Sequence, residues 1–163
     1  MEIEIKQYKT TDNKEAIEIW NEVVEAGVAF PQLETLDEKS GDEFFKSQSF
    51  TAIARDTDTG EAVGLYILHP NNVGRCGHIC NASYAVSSEF RGRRIGEALV
   101  RDCMEAAKEL GFRVLQFNAV VAVNVRARRL YERLGFRQLG TIPGGFRLDN
   151  GEFADICPYF IEL

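Results

Sequence analysis

A chain of 163 residues is long enough to bury one core and short for two, so a single domain over residues 1–163 is expected. Its 45% hydrophobic and 27% charged residues exclude the apolar-poor, charge-rich composition of a disordered chain. A formal net charge of -6 argues against general binding to nucleic acid or to an anionic membrane, which needs a basic excess, so any anion must be held by a local basic cluster.

The opening Met1-Glu2-Ile3-Glu4-Ile5-Lys6 lacks the basic start and apolar run of a signal peptide, and no segment is apolar for long enough to span a bilayer. A cytoplasmic protein without a membrane partner is expected. Ile3 and Ile5 alternate with charged residues and predict a half-buried strand. A helix follows: Thr11 or Asp12 can cap it, Glu15 supplies first-turn negative charge, and Ile17, Trp20, Val23 and Val24 recur at helical spacing before Gly27. From Val28 to Ser49 the pattern is irregular, with Phe30-Pro31 and a short helix from Asp37 to Lys46. Phe30, Phe44 and Phe45 are equally readable as an acceptor-pocket wall or as core.

Phe50 to Ala54 and Ala62 to Leu68 predict a hairpin across the polar turn Asp56-Thr57-Asp58-Thr59-Gly60. After the turn Pro70-Asn71-Asn72-Val73-Gly74, Gly77 to Val86 reads as a strand. Ile95, Ala98, Leu99, Cys103, Ala106, Ala107 and Leu110 share one helical face until Gly111, and Val114 to Val121 is a nearly continuous apolar strand. Strand, helix and strand in that order imply a parallel pair. Asn124 to Leu134 predicts a last helix with Ala127, Leu130, Tyr131 and Leu134 inward, and Phe136 to Ile142 with Phe153 to Phe160 a closing hairpin.

Cysteines at 76, 80, 103 and 157 show no framework spacing and read as reduced thiols. On a strand, Cys76, His78 and Cys80 would share a face, but no second ligand pair stands at zinc-site spacing, so no metal is expected.

The chemistry concentrates between Val86 and Ala98. Here a strand passes to a helix through the basic, glycine-containing turn Arg91-Gly92-Arg93-Arg94-Ile95-Gly96. The first N–H groups of a helix lack internal partners and carry the positive end of the dipole, so such a turn suits a diphosphate. Gly92 and Gly96 permit close approach of the main chain, and Arg91, Arg93 and Arg94 can add charge-assisted hydrogen bonds. Alone, this turn is also readable as a solvated loop.

The turn resembles the cofactor loop of the GCN5-related N-acetyltransferase (GNAT) superfamily, Arg/Gln-x-x-Gly-x-Gly/Ala, with Arg94 standing where the family has its first glycine. Asn124-Val125-Arg126-Ala127-Arg128-Arg129-Leu130-Tyr131-Glu132-Arg133-Leu134-Gly135-Phe136 is similar to the family's second block, Asn-x-x-Ala-x-x-x-Tyr-x-x-x-Gly-Phe. The resemblance implies an α/β (α+β) fold: a mixed, mostly antiparallel sheet with a splayed parallel central strand pair, flanked by helices. It implies acetyl-CoA as cosubstrate, bound by Tyr84, Ala85, Val86, the loop Arg91, Gly92, Arg93, Arg94, Ile95, Gly96, Glu97 and Ala98, and by Asn124 and Ala127. It also implies direct attack of an amine on the thioester, with Tyr131 beside the sulfur as proton donor and Asn124 at the pantetheine arm. Family members often form homodimers through terminal strands, here Phe153 to Leu163.

Tyr131 is otherwise a core aromatic, and Asn124 otherwise only a helix cap. No glutamate is evident as base; His78 is a candidate, more simply read as structural. Two further segments, Pro70-Asn71-Asn72-Val73-Gly74-Arg75-Cys76-Gly77-His78-Ile79-Cys80-Asn81 and Gln116-Phe117-Asn118-Ala119-Val120-Val121-Ala122-Val123-Asn124, are similar to the yeast acetyltransferases of proline analogues such as azetidine-2-carboxylate. There is a weaker likeness to phosphinothricin acetyltransferases. By that likeness Asn81 and Asn118 would hold a small amino-acid acceptor. A protein N-terminus or lysine as acceptor, a noncatalytic acetyl-CoA sensor, and phosphate contacts from Arg91–Arg101 and Arg126–Arg133 are the competing readings.

Overall fold

The computed structural model describes residues 1–163. Eight strands form one sheet: β1 (Ile3–Gln7), β2 (Phe50–Asp56), β3 (Ala62–Pro70), β4 (Ile79–Val86), β5 (Val114–Val121), β6 (Arg137–Gln138), β7 (Ile142–Arg147) and β8 (Phe153–Glu162). Four helices flank it: α1 (Asn13–Ala26), α2 (Glu38–Ser47), α3 (Ile95–Glu109) and α4 (Val125–Arg133). The strand order is β1-β2-β3-β4-β5-β8-β6, with β7 beside β8. Every pairing is antiparallel except β4 with β5. This is the mixed sheet with one parallel pair that the sequence implied.

Strand alternation sends side chains to opposite faces, and each face has its own core. Trp20, Phe45, Leu65 and Ile67 lie in the cluster under α1 and α2, while Tyr66, Leu68, Leu99, Cys103 and Phe117 lie in the cluster under α3 and α4. A bulge against Ala54 and Arg55 interrupts the β2–β3 register. Gly64 sits there because α3 comes close: a Cβ would stand 3.0 Å from the Ala85 carbonyl oxygen and 3.1 Å from Leu99 Cδ1.

β4 and β5 pair only at Ile79 with Val114 and Cys80 with Leu115. Beyond these the strands part and open the sheet. On the other side of β5 the register with β8 shifts between Phe117 and Val120, the position of a bulge that re-aims Asn118 and Ala119. The site lies in this opening.

Several sequence expectations need correction. The α1 N-terminus has no side-chain cap, because the Asp12 carboxylate accepts from the Lys9 N–H at 2.8 Å and from Arg55 at 2.8 Å. β4 starts at Ile79 rather than Gly77, and Cys76 lies in a 3-10 turn, so Cys76, His78 and Cys80 do not share a strand face. Leu110 ends outside α3 and is 49% exposed. The closing hairpin is β7 with β8, not Phe136–Ile142 with β8. Pro143-Gly144-Gly145 inside β7 conceals it, since proline and glycine read as punctuation. β6 pairs separately with β8 at Tyr159 and Phe160.

Candidate active site

The turn after β4 is anchored from α1. The Glu22 carboxylate accepts from the Ser88 N–H at 3.0 Å and from the Ser88 hydroxyl, and these bonds hold its carboxyl below the usual range. Arg94, the residue preceding α3, is left-handed at φ 61° and is the one non-glycine residue with positive φ. Its carbonyl accepts the first helical bond from the Ala98 N–H at 3.2 Å. The N–H groups of Gly92, Arg93, Arg94, Ile95, Gly96 and Glu97 have no protein acceptor. They form a row of donors at a helix N-terminus, which is the requirement for an anion.

These donors face a cleft of about 620 Å³ between α1, the β4–α3 turn and α4. Tyr84, Val86, Arg91, Gly92, Arg94, Ile95, Gly96, Glu97 and Asn124 line it. Of the other residues implied for the cofactor, Ala85 is buried at 1% exposure in the α1-side core, Ala98 faces neither cavity, and Arg93 lies over the Phe90 ring at 5.2 Å. The cleft also includes Val23, Ala26, Val28, Ala29, Arg126, Leu130 and Arg133, which periodicity could not join to the turn. Glu97 braces the rim, receiving Arg133 at 2.6 Å from α4 and Arg101 at 2.9 Å, and both pairs lower its carboxyl.

A second cavity, about 470 Å³, continues from the first; Ala29, Tyr84, Gly96, Asn124, Arg126 and Leu130 line both. It runs through the opening of the sheet. Phe30, Pro31, His69, Asn81 and Asn118 line it together with Val100, Phe117, Tyr131 and Ala127. Asn81 pairs with His69 across β3–β4, so both side chains point to the same face. Asn71 joins the predicted pair of asparagines: Asn118 Nδ2 donates to Asn71 Oδ1 at 2.6 Å, Asn71 Nδ2 to Asn118 Oδ1 at 3.2 Å, and Asn81 Nδ2 to Asn71 Oδ1 at 3.5 Å. Gln116 adds a bond to Asn118 at 3.1 Å.

Asn124 caps α4, its Oδ1 accepting from the Ala127 N–H at 3.3 Å, while lining both cavities. The Tyr131 ring packs against Phe117, Phe136 and Tyr159. Burial pushes its phenol well above the ordinary range, as it does that of Tyr84. The Tyr84 hydroxyl is buried without a hydrogen-bond partner, beside the Cys103 thiol. Two cavities meeting at one helix cap, one floored by anion donors and the other by amides, describe a two-substrate transferase.

The chain matches the family model of the Acetyltransferase (GNAT) family over residues 14–136. It belongs to the GNAT acetyltransferases. N-acetyltransferase aca1 of Schizosaccharomyces pombe is 31% identical over 147 residues, covering 81% of this chain and 70% of that protein. A GCN5-related N-acetyltransferase structure from Kribbella flavida superposes with a TM-score of 0.90 at 30% identity, covering 99% of this chain and 98% of the other. The GNAT superfamily phosphinothricin acetyltransferase of Sinorhizobium meliloti, solved in complex with AcCoA, has a TM-score of 0.91 at 21% identity over 100% and 89% of the two chains.

The activity is therefore N-acetyl transfer from acetyl-CoA. The residues present in this acetyltransferase fit that cosubstrate, because a diphosphate would satisfy the unpartnered donors of the β4–α3 turn. His78 is exposed and lines neither cavity, whereas His69 and Asn71 belong to the acceptor side. The signal for His69 was its cross-strand register with Asn81, which requires the paired strands and not either one alone. Phe30 lines the acceptor cavity, while Phe44 and Phe45 stack against Trp20 in the core. No helix is long and apolar enough to cross a membrane, and no group of three His, Cys, Asp or Glu side chains could hold a metal ion.

Proposed function

We propose that this enzyme acetylates the amine of a small amino acid or amino-acid analogue by direct attack on the thioester. The observation that carries the reading is the lining of the second cavity: an amide cluster of Asn71, Asn81 and Asn118 beside apolar walls, with no carboxylate among the lining residues. Amide N–H groups can donate to a substrate carboxylate while amide oxygens accept from its amine, so one cluster orients a zwitterion. Arg126 at the shared rim is the one cationic lining residue and favours an anionic substituent. A cationic lysine or peptide N-terminus would instead call for acidic side chains.

The volume and its surroundings support a small acceptor. About 470 Å³ suits a compact ligand and the acetyl end of the cosubstrate. The β7–β8 hairpin, paired to the β5 wall, carries Asp149, and a Cβ placed on Gly27 at the end of α1 would stand 2.6 Å from Asp149 Oδ2. The hairpin thus reaches from one wall to the other, leaving less room for a protein chain.

In the proposed reaction the β4–α3 N–H groups and Arg91 and Arg94 hold the diphosphate, and the unpaired β4 edge at Tyr84–Val86 faces the pantetheine arm. Asn124 positions that arm where the two cavities meet. The amine attacks the carbonyl carbon, the C–S bond breaks, and the neutral Tyr131 phenol protonates the departing sulfur. Tyr131 suits this task because its raised value keeps it protonated and its hydroxyl has no protein partner.

Thiol release from acetyl-CoA, measured over a panel of amino acids, proline analogues, polyamines and peptides, tests the reading. Turnover concentrated on small zwitterions, with kcat/KM reduced roughly 10- to 100-fold by Asn118→Ala through loss of charge-assisted hydrogen bonds worth about 1.5–3 kcal/mol, is expected. Activity confined to peptides overturns it, and binding of acetyl-CoA without turnover of any amine favours the sensor.

A further inference from the structure

An amino-acid amine is almost wholly protonated at neutral pH and cannot attack until it loses a proton. The acceptor cavity contains few groups able to take one. Its ionisable lining residues are His69, Tyr84, Tyr131 and Arg126. Arginine stays charged and is no base. Burial holds both phenols in the protonated form, and no carboxylate lines the cavity.

His69 differs from these in chemistry and in position. Its Nδ1 stands 3.0 Å from the Pro70 carbonyl oxygen. A carbonyl can only accept, so Nδ1 carries the hydrogen of the neutral ring and Nε2 is left with the free lone pair. The ring lies on β3 beside Asn81, its partner in register, and the same cavity contains Phe30, Pro31 and Gln32. By strand alternation His69 follows Leu65 and Ile67 onto the α1 side of the sheet, whereas Tyr131 packs with the α3 side. The two groups therefore reach the opening from opposite faces.

We infer that His69 is the catalytic base, its Nε2 taking a proton from the substrate ammonium held by Asn81 and Asn118. This rests on the small-amine reading above. The step balances without a further reactant: R–NH3+ gives one proton to His69 Nε2, which passes it to water. The amine nitrogen then forms the C–N bond as the C–S bond breaks. The second N–H proton replaces the one that Tyr131 gives to sulfur, so the products are R–NH–acetyl, the free thiol of CoA and one proton. A base on one face of the sheet and an acid on the other keeps the proton acceptor away from the thiolate it would otherwise protonate.

The test compares two acceptors of like shape and unlike basicity, proline and thiazolidine-4-carboxylate, whose ring sulfur leaves a larger share of its amine neutral. His69→Gln and His69→Ala are assayed with both, beside the parent, with acetyl-CoA affinity measured as a check on folding. The expected result is a loss in kcat/KM of about 100-fold or more with proline, a loss at least tenfold smaller with the weakly basic analogue, partial restoration of His69→Ala by added imidazole, and unchanged acetyl-CoA affinity. Equal losses on the two amines, or no loss in either variant, overturn the role of His69 while leaving the small-amine reading intact. A parent inactive on both amines but active on peptides overturns that reading and this inference with it.

Discussion

At Arg94 a backbone demand and a side-chain demand collide. A left-handed residue with a Cβ costs roughly 1–2 kcal/mol, which glycine avoids at the expense of unfolded-state entropy. The family loop has glycine at this position, and this chain keeps an arginine there in the same turn. Arg94→Gly should stabilise the fold by about 0.5–1 kcal/mol, a rise in Tm of roughly 1–4 °C for a chain of this size. Because the turn's main-chain donors remain, KM for acetyl-CoA should change less than about fivefold. A larger increase would show that the guanidinium, not the N–H row, carries the diphosphate. Tyr131 permits a prediction in pH. Its phenol is raised by burial, so the proton-donating form persists above the ordinary phenol range near 10. Across pH 8 to 10 the parent's kcat should show no decline that is absent from Tyr131→Phe, and that variant should be slower by about 100-fold. A parent-specific fall within that range would mean that the phenol titrates normally and is not enclosed as described.

The next scale is the seating of α3 against β3. Gly64 permits the approach, and a methyl group there would meet the Ala85 carbonyl and the Leu99 and Ile95 side chains within 3.2 Å. Gly64→Ala should cost about 1–3 kcal/mol by overpacking, lowering Tm by roughly 3–10 °C, and should raise KM for acetyl-CoA because the helix that displaces is the one presenting the anion donors. A variant that melts like the parent would place the close contact elsewhere. Elements of this kind were unevenly legible in the sequence. Helical spacing located α1, α3 and α4, and apolar runs located β2, β3 and β5, because their patterns repeat over many residues. β7 escaped because Pro143, Gly144 and Gly145 imitate a turn. The two glycine- and asparagine-bearing blocks pointed to the cofactor side, which is built largely from consecutive residues. The acceptor side is not: His69, Asn71, Asn81 and Asn118 come from β3, the following turn, β4 and β5, and only pairing and the β5 bulge bring them together. Asn81 and Asn118 were indicated by resemblance, and nothing local marked His69.

The molecule as a whole is two halves joined across an opening. β1 to β4 with α1, α2 and α3 form one, β5 to β8 with α4 the other, and the strand pairing between them is limited to the β4–β5 contacts at Ile79–Val114 and Cys80–Leu115. The Glu97–Arg133 pair adds a tie at the surface, exposed enough to contribute little alone. Acetyl-CoA would contact both halves, with the N–H groups of the α3 end on one side and Asn124 and Leu130 on the other. Binding that is restricted to the native state stabilises it by about 2.7 kcal/mol at a ligand concentration 100 times Kd, and here that linkage acts across the seam. Amide hydrogen exchange should therefore slow on addition of acetyl-CoA in the distal half of β5 and in α4, as well as in the turn from Gly92 to Glu97. CoA without the acetyl group should protect the same segments, since the bridging contacts lie along the diphosphate and pantetheine. Protection confined to the turn would show that the second half closes without the ligand's help, and that the opening is held by the sheet itself.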